Sequence, residues 1–179
     1  QDNIVMLAST SKITFAGAGI SFLSASTPQL QAFEKYLTNQ MIGFDKVNQF
    51  RHVRFLKDNE GIAAHMAKHR SIIGPKFDLV LSKLGNALGG KDIATWTEPR
   101  GGYFISLDTK PGLASEIIRM AGDVGVKLTP AGATFPYGRD PEDTNIRIAP
   151  TFPGLAELSQ AIDVLVTCIE LATLKATQN

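Results

Sequence analysis

The stretch from residue 59 to about residue 88 reads as one long helix, and it divides everything else in the chain into a part before and a part after. Asp58 stands where an N-cap belongs, Gly74-Pro75 marks an expected kink, and residues 86–90 supply a glycine-rich stop. Beyond it, residues 93–97 and 102–107 read as two strands joined through Glu98-Pro99-Arg100-Gly101, where Pro and Gly signal the turn. A helix is expected over 113–123, stopped near Gly125, followed by a short strand at 126–128 and a loop over 131–144. A strand at 145–149 and a last helix from 155 to about 176 complete this part. Leu155, Leu158, Ile162, Leu165, Ile169 and Ala172 form the expected buried stripe of that helix. Helices flanking a few strands in this order give a compact α+β domain.

Ahead of the long helix the pattern differs. Residues 4–8 are a continuous apolar run, as in a strand buried on both faces, and 13–25 form a second extended segment rich in Gly, Ala and Phe. Thr27 reads as an N-cap with Pro28 at the first helical position, for a helix reaching about residue 40 with Leu30, Phe33 and Leu37 at helical spacing. Another helix is expected over 47–57. Two strands and two helices are too little for an independent sheet. Residues 1–57 therefore read as the end of a larger α/β unit, and 58–179 as a small α+β domain that includes the linking helix. The chain starts on Gln1, almost inside a strand, and reads as a fragment.

Charge and cysteine content narrow the functions. Eighteen Lys and Arg against seventeen Asp and Glu give a net charge of +1, which argues against nucleic-acid or anionic-membrane binding through concentrated positive charge. Cys168 is the one cysteine, so neither an internal disulfide nor a multi-cysteine metal site is open to the chain; it reads as a small core residue. No apolar run approaches the roughly 18 residues of a membrane span, because Asp163 and Glu170 break the most apolar stretch. A cytoplasmic location is the expectation.

Four constellations could carry chemistry. Ser9-Thr10-Ser11-Lys12 follows the first strand; an amine there can act as a nucleophile with hydroxyls anchoring a phosphate, or can be a solvated lysine in a turn. Arg147, between Ile146 and Ile148, offers the planar fork that binds a carboxylate through two parallel bonds, or else points outward as a surface arginine. Gly17-Ala18-Gly19 begins like a dinucleotide fingerprint, but Phe22 stands at the third glycine position, so close backbone approach is the better reading. His65 and His69 lie one helical turn apart, yet Met66 takes the place of a metalloprotease glutamate and no third ligand is evident.

These pieces resemble the fold-type I pyridoxal-phosphate aminotransferases, closest to a branch of aspartate aminotransferases. Ser9-Thr10-Ser11-Lys12, Gly101-Gly102-Tyr103-Phe104, Leu128-Thr129-Pro130-Ala131-Gly132 and Asn145-Ile146-Arg147-Ile148 follow one another in that family's order, across essentially the whole chain. The resemblance implies pyridoxal 5′-phosphate held as a Schiff base on Lys12, with Ser9 and Ser11 on its phosphate and Arg147 on the substrate α-carboxylate. It also implies amino-acid and 2-oxo-acid substrates, aspartate and 2-oxoglutarate first among them, and a homodimer when full length. The fold it implies is the end of the large cofactor domain followed by the small C-terminal domain. Many relatives carry a phosphate-pairing arginine seven or eight residues after the lysine, where this chain has Gly19 and Ile20. The cofactor's carboxylate and aromatic partners lie upstream of the lysine in such enzymes, so the isolated 179 residues are expected to be inactive. For a distal substrate carboxylate, Arg51, Arg54, Arg100 and Arg139 are all candidates. The other reading is an aminotransferase-like ligand-sensing domain of a transcriptional regulator, and a bare structural domain is a third.

Overall fold

The computed structural model describes residues 3–178. Five strands, five α-helices and one 3-10 turn occur among them. The chain divides into two compact units, residues 1–71 and 72–179.

In the first unit, β1 (Met6–Ser9) pairs antiparallel with β2 (Ser21–Ser24), with Met6 opposite Ser24 and Ser9 opposite Ser21. The apolar run expected to be buried on both faces is exposed: Leu7 keeps 75% of its surface and Met6 62%. A two-stranded ribbon leaves both faces of each strand open, which a larger sheet would not. Extended structure in the second segment is confined to β2, because residues 10–19 coil between the strands.

Helix α1 (Thr27–Gln40) starts one residue earlier than expected, with Ser26 rather than Thr27 at the N-cap and Pro28 in the first turn. None of its residues is buried. Helix α2 (Lys46–Leu56) is capped by Asp45, whose carboxylate accepts the Asn48 N–H at 2.9 Å, and His52 is its buried residue. Helix α3 (Asn59–Leu88) runs continuously through Pro75, and Asp58 caps it by accepting from the Gly61 N–H at 2.8 Å.

The second unit is built on a three-stranded antiparallel sheet, in the order β3 (Ala94–Trp96), β4 (Ile105–Thr109), β5 (Asn145–Ile148). Ile105 pairs with Ile148 and Leu107 with Ile146, and all four are buried. The intervening pairs, Ser106 with Arg147 and Asp108 with Asn145, lie on the opposite face. Helices α4 (Ala114–Asp123) and α5 (Leu155–Gln178) and the end of α3 supply the rest of the core: Val80, Leu84, Leu88, Ile117, Leu165 and Ile169 are essentially inaccessible. Leu155 departs from the expected stripe of α5 and is 49% exposed, since it occupies the helix's first turn.

Gly125, at φ +93°, ends α4: its N–H bonds the Gly122 carbonyl, and the Val126 N–H reaches back to Ala121. The expected strand at 126–128 does not form. Val126 and Leu128 instead pack their side chains on the core without a ladder partner, which satisfies the same apolar pattern. Cys168 is buried, and burial raises its thiol pKa. No helix among the described residues is long and apolar enough to cross a membrane.

Leu107 anchors the centre of this sheet with no exposed surface. Leu107→Ala should cost about 2–5 kcal/mol, measured by urea denaturation, whereas Lys110→Ala on the exposed end of the same hairpin should stay within about 0.5 kcal/mol.

Candidate active site

Thr10 is the buried member of the lysine segment, and it organises the turn that carries Lys12. Its carbonyl accepts the Ile13 and Thr14 N–H groups at 3.0 and 2.9 Å, which places Lys12 at the exposed crest of a tight turn. Its N–H donates to the Ile20 carbonyl at 2.9 Å, and its hydroxyl accepts the Ile20 N–H at 2.8 Å. The neighbouring hydroxyls of Ser9 and Ser11 lie 2.8 Å apart, and the Ser9 hydroxyl also accepts the Ser11 N–H at 3.1 Å.

Gly19 lies hard against this pair. A Cβ built on Gly19 would stand 2.2 Å from Ser11 Oγ and 2.7 Å from Ser11 Cα. No side chain fits there without moving the serine, so glycine at position 19 has a local steric reason. Beside it opens a cleft of about 330 Å³ lined by Gly17, Gly19, Asp45, Asn48 and Arg51 among others. Arg51 donates to Asn48 Oδ1 at 2.7 Å and lies over the Phe15 ring. Two exposed hydroxyls converging on one point, with close backbone behind them, are a donor set suited to phosphate oxygens.

Helix α2 secures the lysine segment from the side. His52 Nε2 lies 3.2 Å from the Thr10 hydroxyl and 2.9 Å from the Thr14 hydroxyl, and Asn48 Nδ2 donates to the Ala18 carbonyl at 2.9 Å. From α3, His65 Nε2 bonds the Ile13 carbonyl, and His69 Nε2 lies 3.1 Å from His65 Nε2. The histidine pair that spaced like metal ligands is thus engaged with backbone and with itself; no metal-binding cluster occurs among the described residues.

In the second unit, three of the four motifs meet at Arg147. Its guanidinium carbon lies 4.6 Å from the centroid of Phe104, and its Nε donates to the Thr129 hydroxyl at 3.4 Å, the long end of the hydrogen-bonding range. Phe104, Thr129 and Arg147 come from segments far apart in the chain. A guanidinium stacked on a ring keeps its in-plane donors for a planar acceptor. The strand beneath it is pinned by Asn145, whose amide donates to Ser106 Oγ at 2.8 Å and Asp108 Oδ1 at 2.7 Å. Its entry is pinned by Asp140, whose carboxylate accepts the Thr144 and Asn145 N–H groups, each at 2.8 Å.

Sequence reasoning singled out Ser9, Ser11, Lys12 and Arg147 but overlooked Thr10, Thr14, His52, Phe104 and Thr129 as their supports. The threonines two residues to either side of Lys12 were a usable signal; His52, remote in sequence, gave none.

The profile of the family described as aspartate amino-transferase matches residues 1–179. This chain belongs to the aspartate aminotransferase family. It is 52% identical over 172 residues to a protein of Mycolicibacterium smegmatis described as an aminotransferase, covering 96% of this chain and 40% of that one. It is 45% identical over 164 residues to the aspartate aminotransferase of Corynebacterium glutamicum, covering 92% of this chain and 38% of that one. The crystal structure of an aspartate transaminase from C. glutamicum superposes with a TM-score of 0.91 at 44% identity, over 95% of this chain and 40% of that chain. The chain thus spans about 40% of the length of the relatives it matches, and its fold is that of the corresponding part of an aminotransferase.

Hydrogen bonding from the Asn145 backbone, with those from Thr144 and Glu142, holds the Asp140 carboxyl below its ordinary value of 3.8. A depressed carboxyl contributes stability that is present above its unfolded pKa, about 3.9, and lost as pH falls through the folded value. Asp140→Asn should therefore be less stable than the parent at pH 6, and the gap in urea midpoint should shrink at pH 3.

Proposed function

We propose that this chain is the C-terminal portion of a cytoplasmic, homodimeric aminotransferase that uses pyridoxal 5′-phosphate to move an amino group between aspartate, or a similar dicarboxylic amino acid, and 2-oxoglutarate. Residues 1–57 are assigned to the end of the large cofactor-binding domain, and 58–179 to the small domain with its linking helix. The observation that carries this reading is the seating of Arg147 between Phe104 and Thr129, which joins three family motifs around one carboxylate-binding group. The family match over the whole chain supports it.

On this reading Ser9 and Ser11 donate to the cofactor phosphate from the hydroxyl pair beside Gly19. Lys12, at the crest of its turn, would hold the cofactor through its amine, and once substrate displaces that amine its Nζ would be free to move the proton off the substrate α-carbon. When bound, the cofactor supplies the electron sink that makes that proton removable. Arg147 is assigned to the substrate α-carboxylate, which its planar fork can take through two parallel bonds.

The test uses the full-length protein loaded with pyridoxal phosphate, reduced with borohydride, digested and mapped by mass spectrometry. The label is expected on Lys12, with a shift of the visible band on adding aspartate; a label elsewhere removes the assignment. Arg147→Lys should lower kcat/KM for aspartate by about 10- to 100-fold, as expected for losing a paired, charge-assisted bond. The isolated 179 residues should show no measurable transamination.

A further inference from the structure

Resting on the assignment of Lys12 above, we propose that His52 is a positioning residue for that lysine: one buried imidazole grips the two threonines that flank it. His52 is 3% exposed, although it belongs to a helix whose other residues are not buried. Its Nδ1 lies 2.9 Å from the Asn48 carbonyl, which can only accept, so Nδ1 carries a proton and donates it. In the neutral ring this leaves Nε2 as an acceptor, and the hydroxyls facing it are those of Thr10 at 3.2 Å and Thr14 at 2.9 Å.

The protons can be followed one step further. The Thr10 hydroxyl oxygen already accepts the Ile20 N–H, so its own proton is directed to Nε2. The Thr14 proton is shared between Nε2 and the Thr10 carbonyl, 3.0 Å away. Lys12 is therefore held between two side chains that converge on a single nitrogen, and the Phe15 ring meets the imidazole edge-on from the same loop. Because Ser11 lies within this span, the grip also fixes the hydroxyl pair. Without the imidazole, Thr10 and Thr14 lose their common partner and the crest of the turn can shift. A displacement of about 1 Å in a reacting group costs on the order of a hundredfold in rate.

The experiment is a set of full-length variants, His52→Ala, His52→Gln, Thr14→Val and the double variant His52→Ala with Thr14→Val. Three quantities are read: the rate at which added pyridoxal phosphate becomes borohydride-trappable on Lys12, kcat and KM for aspartate, and the unfolding midpoint. His52→Ala should slow label accumulation and lower kcat by about 10- to 100-fold with KM changed less than threefold. Thr14→Val should act in the same direction, and the double variant should fall well short of the product of the two single effects. His52→Gln, whose amide oxygen can stand near the place of Nε2, should recover most of both rates. If His52→Ala does not fold, Thr14→Val decides between slowed and unslowed labelling. Labelling on Lys12 at the parent rate in every folded variant, with unchanged kcat, overturns the positioning role while leaving the Lys12 assignment intact. A label away from Lys12 in the parent protein overturns both.

Discussion

Period-two alternation in β5 is the constraint on which the second unit depends. Ile146 and Ile148 have to face the helices, because the cross-strand pairs with Leu107 and Ile105 form the centre of the core. Once they do, Arg147 is forced to the other face, opposite Ser106, and a one-residue slip would reverse both placements. An arginine between two isoleucines looks anomalous in one dimension. In three it is the normal consequence of a sheet with one buried and one polar face. The stacking on Phe104 and the contact with Thr129 then convert a side that the core merely left open into a defined position.

The first unit orders its lysine segment mainly by hydrogen bonds, among them those of the buried Thr10 and His52. Its strands are exposed, its helix α1 buries nothing, and the residues that order the lysine turn are polar: Thr10, Thr14, Asn48 and His52. A turn held by several bonds to backbone and hydroxyl groups keeps its shape with little apolar support, here the Phe15 ring against Phe55, provided that each donor finds an acceptor. The two units thus reach local order by opposite means, one through packing and the other through paired polar groups.

Much of this was legible in the sequence where the signal is local. The long helix and its aspartate cap, the last helix, the glycine stop after α4 and the strand carrying Arg147 all follow from spacing, caps and alternation. Failures came where an apolar pattern has more than one physical solution. Val126 and Leu128 pack on the core as an extended segment without pairing, and residues 6–9 form a strand whose faces are open. Of the candidate site, the residue types and their order could be read, but not their supports. That His52 would meet threonines some 40 positions earlier depends on how α2 lies along the loop, which no local pattern encodes.

Gly19 constrains how such a chain can change over time. With Ser11 occupying the space where a side chain at position 19 would begin, an arginine cannot be introduced there by one substitution without disturbing the neighbouring hydroxyl. The two positions are sterically coupled, so any side chain at position 19 and the present placement of Ser11 exclude one another. A larger residue at 19 therefore becomes acceptable only together with a rearrangement of the serine, which ties the fate of one position to the other.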